Sequence, residues 1–306
     1  MIRKLLIDLS PGIEETLALS VAMNNPDVEL QAVTAVAGNV NAGRSGQNLQ
    51  AILNLIDPPR RPRMGVGEEP VGGLPVDGML VNSRDGLGDV GIPVVELLQP
   101  ASASKVISDT IRSFPYEVTI LTLGPLTNIA RALVRDPELA LMVGHLVIYG
   151  GSLSARGNIT PTSEFNIYCD PESARTVFRS KMTKTLVPMD ITSKFSVGMD
   201  FINQIPDSSS GVLLKKILPA LFRNYRLGLG REKVFVHSTV ALLSILHPDL
   251  FVRKKMFVDV ETAGELTTGM TVFDQRYRTD ARPNMEVVTD FDKHVVGMFF
   301  TEEICR

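Results

Sequence analysis

Leu5-Leu6-Ile7-Asp8-Leu9-Ser10-Pro11-Gly12-Ile13-Glu14-Glu15 joins a short apolar run, an acid and the punctuation of a helix start. An apolar run of this length reads as a buried strand. Ser10 is a good helix N-cap, Pro11 suits a first helical position, and Glu14 and Glu15 complement the positive end of the helix dipole. The segment predicts a strand over Leu5–Ile7, a turn, and a helix over Ile13–Met23. That is the opening βα unit of an α/β fold.

The same alternation continues outward. Further strands are expected at Leu30–Ala37, Val118–Leu121, Leu146–Tyr149 and Thr185–Val187, and helices at Gly43–Ile56, Leu126–Val134, Pro171–Phe178 and Val212–Tyr225. Strands alternating with helical patterns imply βαβ units around a mostly parallel sheet. Met256–Glu261 and Thr268–Phe273, around Gly264, read as an antiparallel addition near the C-terminus, and Asp292–Ile304 as a closing helix. The expected fold is α/β, an open, mostly parallel sheet flanked by helices. With no repeat or linker, residues 1–306 are expected to form one domain.

Composition narrows the function. The 306 residues are 44% hydrophobic and 21% charged with a formal net charge of −3, which gives no field favouring nucleic acid or an anionic membrane. Arg60, Arg61 and Arg63 are interleaved with Pro58, Pro59 and Pro62 and read as a solvated loop. Cys169 and Cys305 fit neither a zinc spacing nor a disulfide framework. The apolar start, Leu5–Ile7, is too short for a signal-peptide core or a membrane span, so a cytoplasmic protein is expected.

Polar residues follow the apolar runs repeatedly: Asp8 and Ser10, Gly38 and Asn39, Gly124 to Asn128, Gly150 to Ser152. In open α/β sheets ligands bind beyond the carboxyl ends of the strands, so these loops are expected to converge on one pocket. Asn158, Glu164 and Asn166 add two amides and a carboxylate, the donors and acceptors that sugar hydroxyls require. Gly86-Leu87-Gly88-Asp89-Val90-Gly91 spells a dinucleotide fingerprint, but Ile92-Pro93 after it cannot open a helix cleanly. A dehydrogenase reading is disfavoured.

Asp8-Leu9-Ser10-Pro11-Gly12-Ile13-Glu14-Glu15 resembles the nucleoside hydrolase signature D-x-D-P-G-x-D-D. The resemblance continues in order through Thr34–Val40, Leu123–Ala130, Gly157–Pro161 with Glu164–Ile167 and Asp170-Pro171-Glu172, Val187–Thr192, Phe235–Ala241 and Gly264–Met270. It implies hydrolysis of the N-glycosidic bond of a small ribosyl compound, a bound calcium ion and a homo-oligomer. It also implies that Asn39 contacts the site, that Asn158, Glu164 and Asn166 grip the ribose, that His237 helps protonate the leaving base, and that Glu15 and the Leu123 carbonyl face the metal. Asp8 and Glu14 are the remaining catalytic candidates. Arg84 and Arg156 fall near the mouth without an assigned role.

The departures bear on mechanism. Ser10 stands where the family has its calcium-binding base, Ser238 where it has a calcium- and ribose-binding aspartate, and Asn82 where it commonly has histidine. Both serines are expected to begin helices and to touch substrate. Losing two anionic ligands predicts weak or absent calcium binding, and a serine hydroxyl cannot serve as a base near neutral pH. Two readings follow: an N-ribosyl hydrolase with Glu14 or Glu15 as base, or a ribosyl-binding relative without catalysis.

Overall fold

The computed structural model describes residues 2–70, 78–94, 96–97, 99–154, 156–276 and 280–306. Among them the strands are β1 Arg3–Leu9, β2 Val28–Ala35, β3 Arg63–Val66, β4 Val118–Leu123, β5 His145–Tyr149, β6 Lys184–Val187, β7 Ser196–Val197, β8 Val234–Phe235, β9 Phe251–Val260, β10 Thr271–Asp274 and β11 Met285–Phe291. The helices are α1 Ile13–Asn24, α2 Ala42–Ile56, α3 Met79–Asn82, α4 Ala103–Ser113, α5 Thr127–Arg135, α6 Leu139–Met142, α7 Phe165–Cys169, α8 Pro171–Arg179, α9 Met189–Thr192, α10 Ser209–Leu229, α11 His237–Leu246 and α12 Lys293–Ile304.

Nine strands form one sheet in the order β10-β9-β11-β6-β5-β4-β1-β2-β3. From β3 to β11 every pairing is parallel, while β9 runs antiparallel to β11 and β10 to β9. The expected α/β architecture, with its antiparallel part near the C-terminus, is thus what forms. Helices cover both faces, which is why central strands are apolar at successive positions. Leu5, Ile7 and Leu9 enter one core and Leu6 the other; Val147 and Tyr149 oppose Leu146 and Ile148 in the same way.

The α1 helix has no polar face, because it packs against the sheet on one side and against α10 and α11 on the other. Its first turn is therefore buried, and Glu14 and Glu15 are buried with it. Neither serine caps a helix, contrary to expectation. The N-cap of α1 is Gly12, without a side-chain cap bond, and that of α11 is Val236. Ser10 is drawn away because its hydroxyl accepts the backbone N–H of Asn39 (2.8 Å). Ser238 falls inside the first turn of α11, where its own N–H is a free donor.

Arg63 is also corrected. It opens the edge strand β3 and pairs with Asp109 at 3.1 Å, while Arg60 pairs with Glu29. Gly86, Gly88 and Gly91 follow a helical turn instead of a strand and sit at φ +81°, +91° and +70°. They build a turn, and no helix opens after them.

Candidate active site

Loops after β1, β2, β5 and β6, with α3, the end of α10 and the start of α11, enclose a cavity of about 920 Å³. Seven expected residues line it: Glu14 and Glu15 on its floor, with Asn39, Asn158, Glu164, Asn166 and His237 around them. Asp8, Ser10, Ser238 and Leu123 do not line it; they are buried behind it. A second, shallower cavity of about 600 Å³ beside the start of α2 takes Arg84 and none of the residues expected to bind ribose.

The floor is built from acids. The Ser238 N–H donates to Glu14 Oε1 at 2.5 Å and its hydroxyl to Glu15 Oε1 at 3.2 Å. The helix N-terminus of α11 thus meets two carboxylates, which its free N–H groups and dipole favour. Asn39 donates to the Ser10 carbonyl (3.0 Å). Gly12 is required here, since a Cβ would lie 2.5 Å from Glu15 Oε2, 2.6 Å from Asn39 Nδ2 and 2.7 Å from Asn82 Oδ1. Behind the floor, Asp8 Oδ1 accepts from Thr34 (2.6 Å) and Asn128 (2.8 Å). Glu15 Oε2 and Asp8 Oδ2 are buried with no hydrogen-bond partner.

The side wall is held from β5. Glu164 caps α7, accepting from the N–H groups of Gly151 (3.0 Å) and Ile167 (3.2 Å). Asn158 Oδ1 accepts from Phe165 N–H (2.8 Å), which leaves its amide donors for a ligand. An aromatic row completes the wall. His237 stacks on Tyr149 with centroids 5.5 Å apart, Phe235 lies 5.2 Å from His237, and Tyr225 lies 6.4 Å from Phe235. His237 Nδ1 is fixed by the Thr192 hydroxyl at 2.7 Å.

Burial dominates the charge state. It pushes Asp8, Glu15 and Glu164 up to about 7 and Glu14 well above the usual carboxylate range, Glu14 being raised further by its neighbour Glu15. It pushes His237 down to about 3. At neutral pH the imidazole is therefore neutral; it can hydrogen-bond, but holds no extra proton to deliver.

The profile of the family described as inosine-uridine preferring nucleoside hydrolase matches residues 5–296. The chain belongs to this nucleoside hydrolase family. It is 34% identical over 293 residues to the non-specific ribonucleoside hydrolase RihC of Salmonella paratyphi A, covering 94% of this chain and 93% of that protein. It is also 34% identical to uridine nucleosidase 1 of Arabidopsis thaliana over 278 residues, covering 89% and 82%. Among solved structures, a plant nucleoside hydrolase superposes with TM-score 0.90 at 26% identity, covering 100% of this chain and 99% of that one. Membership supports hydrolysis of the N-glycosidic bond of small ribosyl substrates. Among the described residues no helix is long and apolar enough to cross a membrane.

Nucleoside hydrolases use calcium; here Asp8 Oδ2 and Glu15 Oε2 are without a partner, while several neighbouring oxygens are already engaged. No group of three or more acidic, histidine or cysteine side chains among the described residues could hold a metal. Calcium takes six to eight oxygen ligands, yet Glu14 Oε1 and Glu15 Oε1 are engaged by Ser238 and the Ser10 hydroxyl by Asn39. The Leu123 carbonyl accepts from Ser10 N–H at 3.3 Å. Ser238 supplies donors where a cation would require acceptors.

Sequence reasoning missed three contributors. Asn82 accepts the Ile13 N–H at 3.0 Å and so caps α1 from another element; it had been noted only as a departure. Tyr149 ends β5 and Thr192 ends α9, the short helix that follows β6, where position alone marks them as candidates. Arg156 does reach the cavity.

Proposed function

We propose that this chain is a ribonucleoside N-ribosyl hydrolase that works without calcium and uses Glu15 as its base. The observation that carries this reading is Glu15 Oε2, a buried carboxylate oxygen with no partner, on a residue of the cavity wall. Asn158, Glu164 and Asn166 hold the ribose, and the row of Tyr149, His237 and Phe235 receives the base. Water held against the Glu15 carboxylate loses its proton to that group as the water oxygen bonds to the anomeric carbon. The N-glycosidic bond breaks with its electron pair leaving on the base. Neutral His237 hydrogen-bonds the departing base, and Glu14, pinned by Ser238, stays out of proton transfer.

The test is ribose release from inosine and uridine in EDTA and in added calcium. Activity unaffected by either, and lowered about 10²–10⁴-fold by Glu15→Gln, is expected. Activity abolished by EDTA would overturn the reading. A second reading, a ribosyl-binding protein without catalysis, is favoured by the fully hydrogen-bonded Asp8 Oδ1 and Glu14 Oε1, which resemble structural acids. It predicts a nucleoside-dependent thermal shift with no ribose release.

A further inference from the structure

The cavity is lined by the acids Glu14, Glu15, Glu164 and Asp190 and by three cations, Arg156, Lys194 and Arg231. Lys194 is committed to Asp290 at 2.7 Å. Arg156 and Arg231 lie outside every ion pair among the described residues, although most exposed arginines of this chain find an acid or a carbonyl.

The backbone carrying Arg156 is anchored, and the Arg231 side chain rests on an aromatic ring. Asp190 accepts the N–H groups of Leu153 and Ser154 through its two oxygens, 2.9 Å each, and the Arg156 N–H donates to Ser152 Oγ at 3.1 Å. That anchors Arg156 two residues before Asn158, on the wall read above as the ribose grip. Arg231 lies over the Phe235 ring at 5.0 Å, and its backbone N–H donates to the Tyr225 carbonyl at 3.2 Å. One cation thus adjoins the sugar-binding wall and the other the aromatic row.

A neutral nucleoside has no use for two unpaired guanidinium groups. A phosphoryl group does, because the guanidinium fork matches it and a concave wall concentrates the field. We propose that the site accepts a phosphorylated ribosyl compound, a nucleoside monophosphate, with its phosphoryl group at Arg156 and Arg231. This rests on the ribosyl-binding reading of the same cavity.

The test is titration calorimetry of the full chain with uridine, its 5′- and 3′-monophosphates and inorganic phosphate, at low and at high salt. One of the two monophosphates should bind about tenfold or more tightly than uridine, with the preference shrinking as salt screens it. In Arg156→Gln with Arg231→Gln the ratio of nucleotide to nucleoside affinity should fall to about one, circular dichroism confirming that the variant is folded. Uridine binding as tightly as both monophosphates overturns this proposal and leaves the ribosyl-binding reading intact. Inorganic phosphate binding as tightly as the nucleotide also overturns it, marking a general anion patch. No binding of uridine or of either nucleotide overturns both.

Discussion

Ser238 holds two buried acids at once. One backbone N–H and one hydroxyl hold Glu14 and Glu15 together under a buried floor. Replacing it with aspartate removes the hydroxyl donor and adds a third acid to the pair. Ser10→Asp with Ser238→Asp should therefore lose on the order of 3 kcal/mol of stability in EDTA, and recover part of it in millimolar calcium. Differential scanning fluorimetry with and without calcium reads both; a double variant as stable as wild type in EDTA contradicts this account. Glu164 gives a pH test. Burial raises it from 4.5 to about 7, so between those values the unfolded chain sheds a proton that the folded chain keeps. Its contribution is fully present below pH 4.5 and is lost as pH rises through 7, at a slope of up to about 1.4 kcal/mol per pH unit. Glu164→Gln retains an acceptor for Gly151 and Ile167 and should flatten the fall in Tm between pH 5 and 7.5; an unchanged slope would show that other acids carry it. The polar residues of this site were legible in sequence because they follow apolar strands. Which of them face the cavity was not, since only packing separates Asn39, on the wall, from Ser10 and Asp8 behind it.

At the scale of elements, α1 depends on a neighbour. Gly12 has no side chain to cap it, and Asn82 from α3 accepts its first N–H. Asn82→Ala should cost about 1 kcal/mol and also weaken ribosyl ligands, because the same turn carries Leu80 and Val81 on the cavity wall. A loss of stability with unchanged nucleoside affinity, by denaturant melts and calorimetry, would confine Asn82 to capping. A cap contributed 69 positions away leaves no local pattern, and Ser10, the locally plausible cap, misled. The five strands and five helices expected for the parallel part all occur, with ends shifted by at most four residues, and the antiparallel segments and closing helix occur as β9, β10 and α12. Among the elements that escaped notice are β3, α4 and β11. The β3 strand is four residues opened by an arginine, and Met285–Phe291 carries Glu286 and Asp290 among its apolar residues, which resembles a surface segment until β6 and β9 enclose it.

For the molecule as a whole, the sheet ties early and late segments together. β1 sits between β2 and β4, and β11 joins β6 to the β9–β10 pair. We therefore expect residues 1–306 to melt as one cooperative unit, with calorimetric and van't Hoff enthalpies equal; two separable transitions would divide the chain into two domains. The strand order also sets a clock for synthesis. The β9–β10 hairpin leaves the ribosome before β11, yet it has nowhere to attach until β11 pairs with β6. Between β6 and β11 lie roughly a hundred residues, about 5–20 s of translation at ordinary elongation rates. Throughout that interval β6 shows an open, apolar edge of the kind that recruits stray strands. A slow codon cluster over residues 188–284 would lengthen the exposure, so the synonymous coding of this stretch should govern how much of the protein is recovered folded.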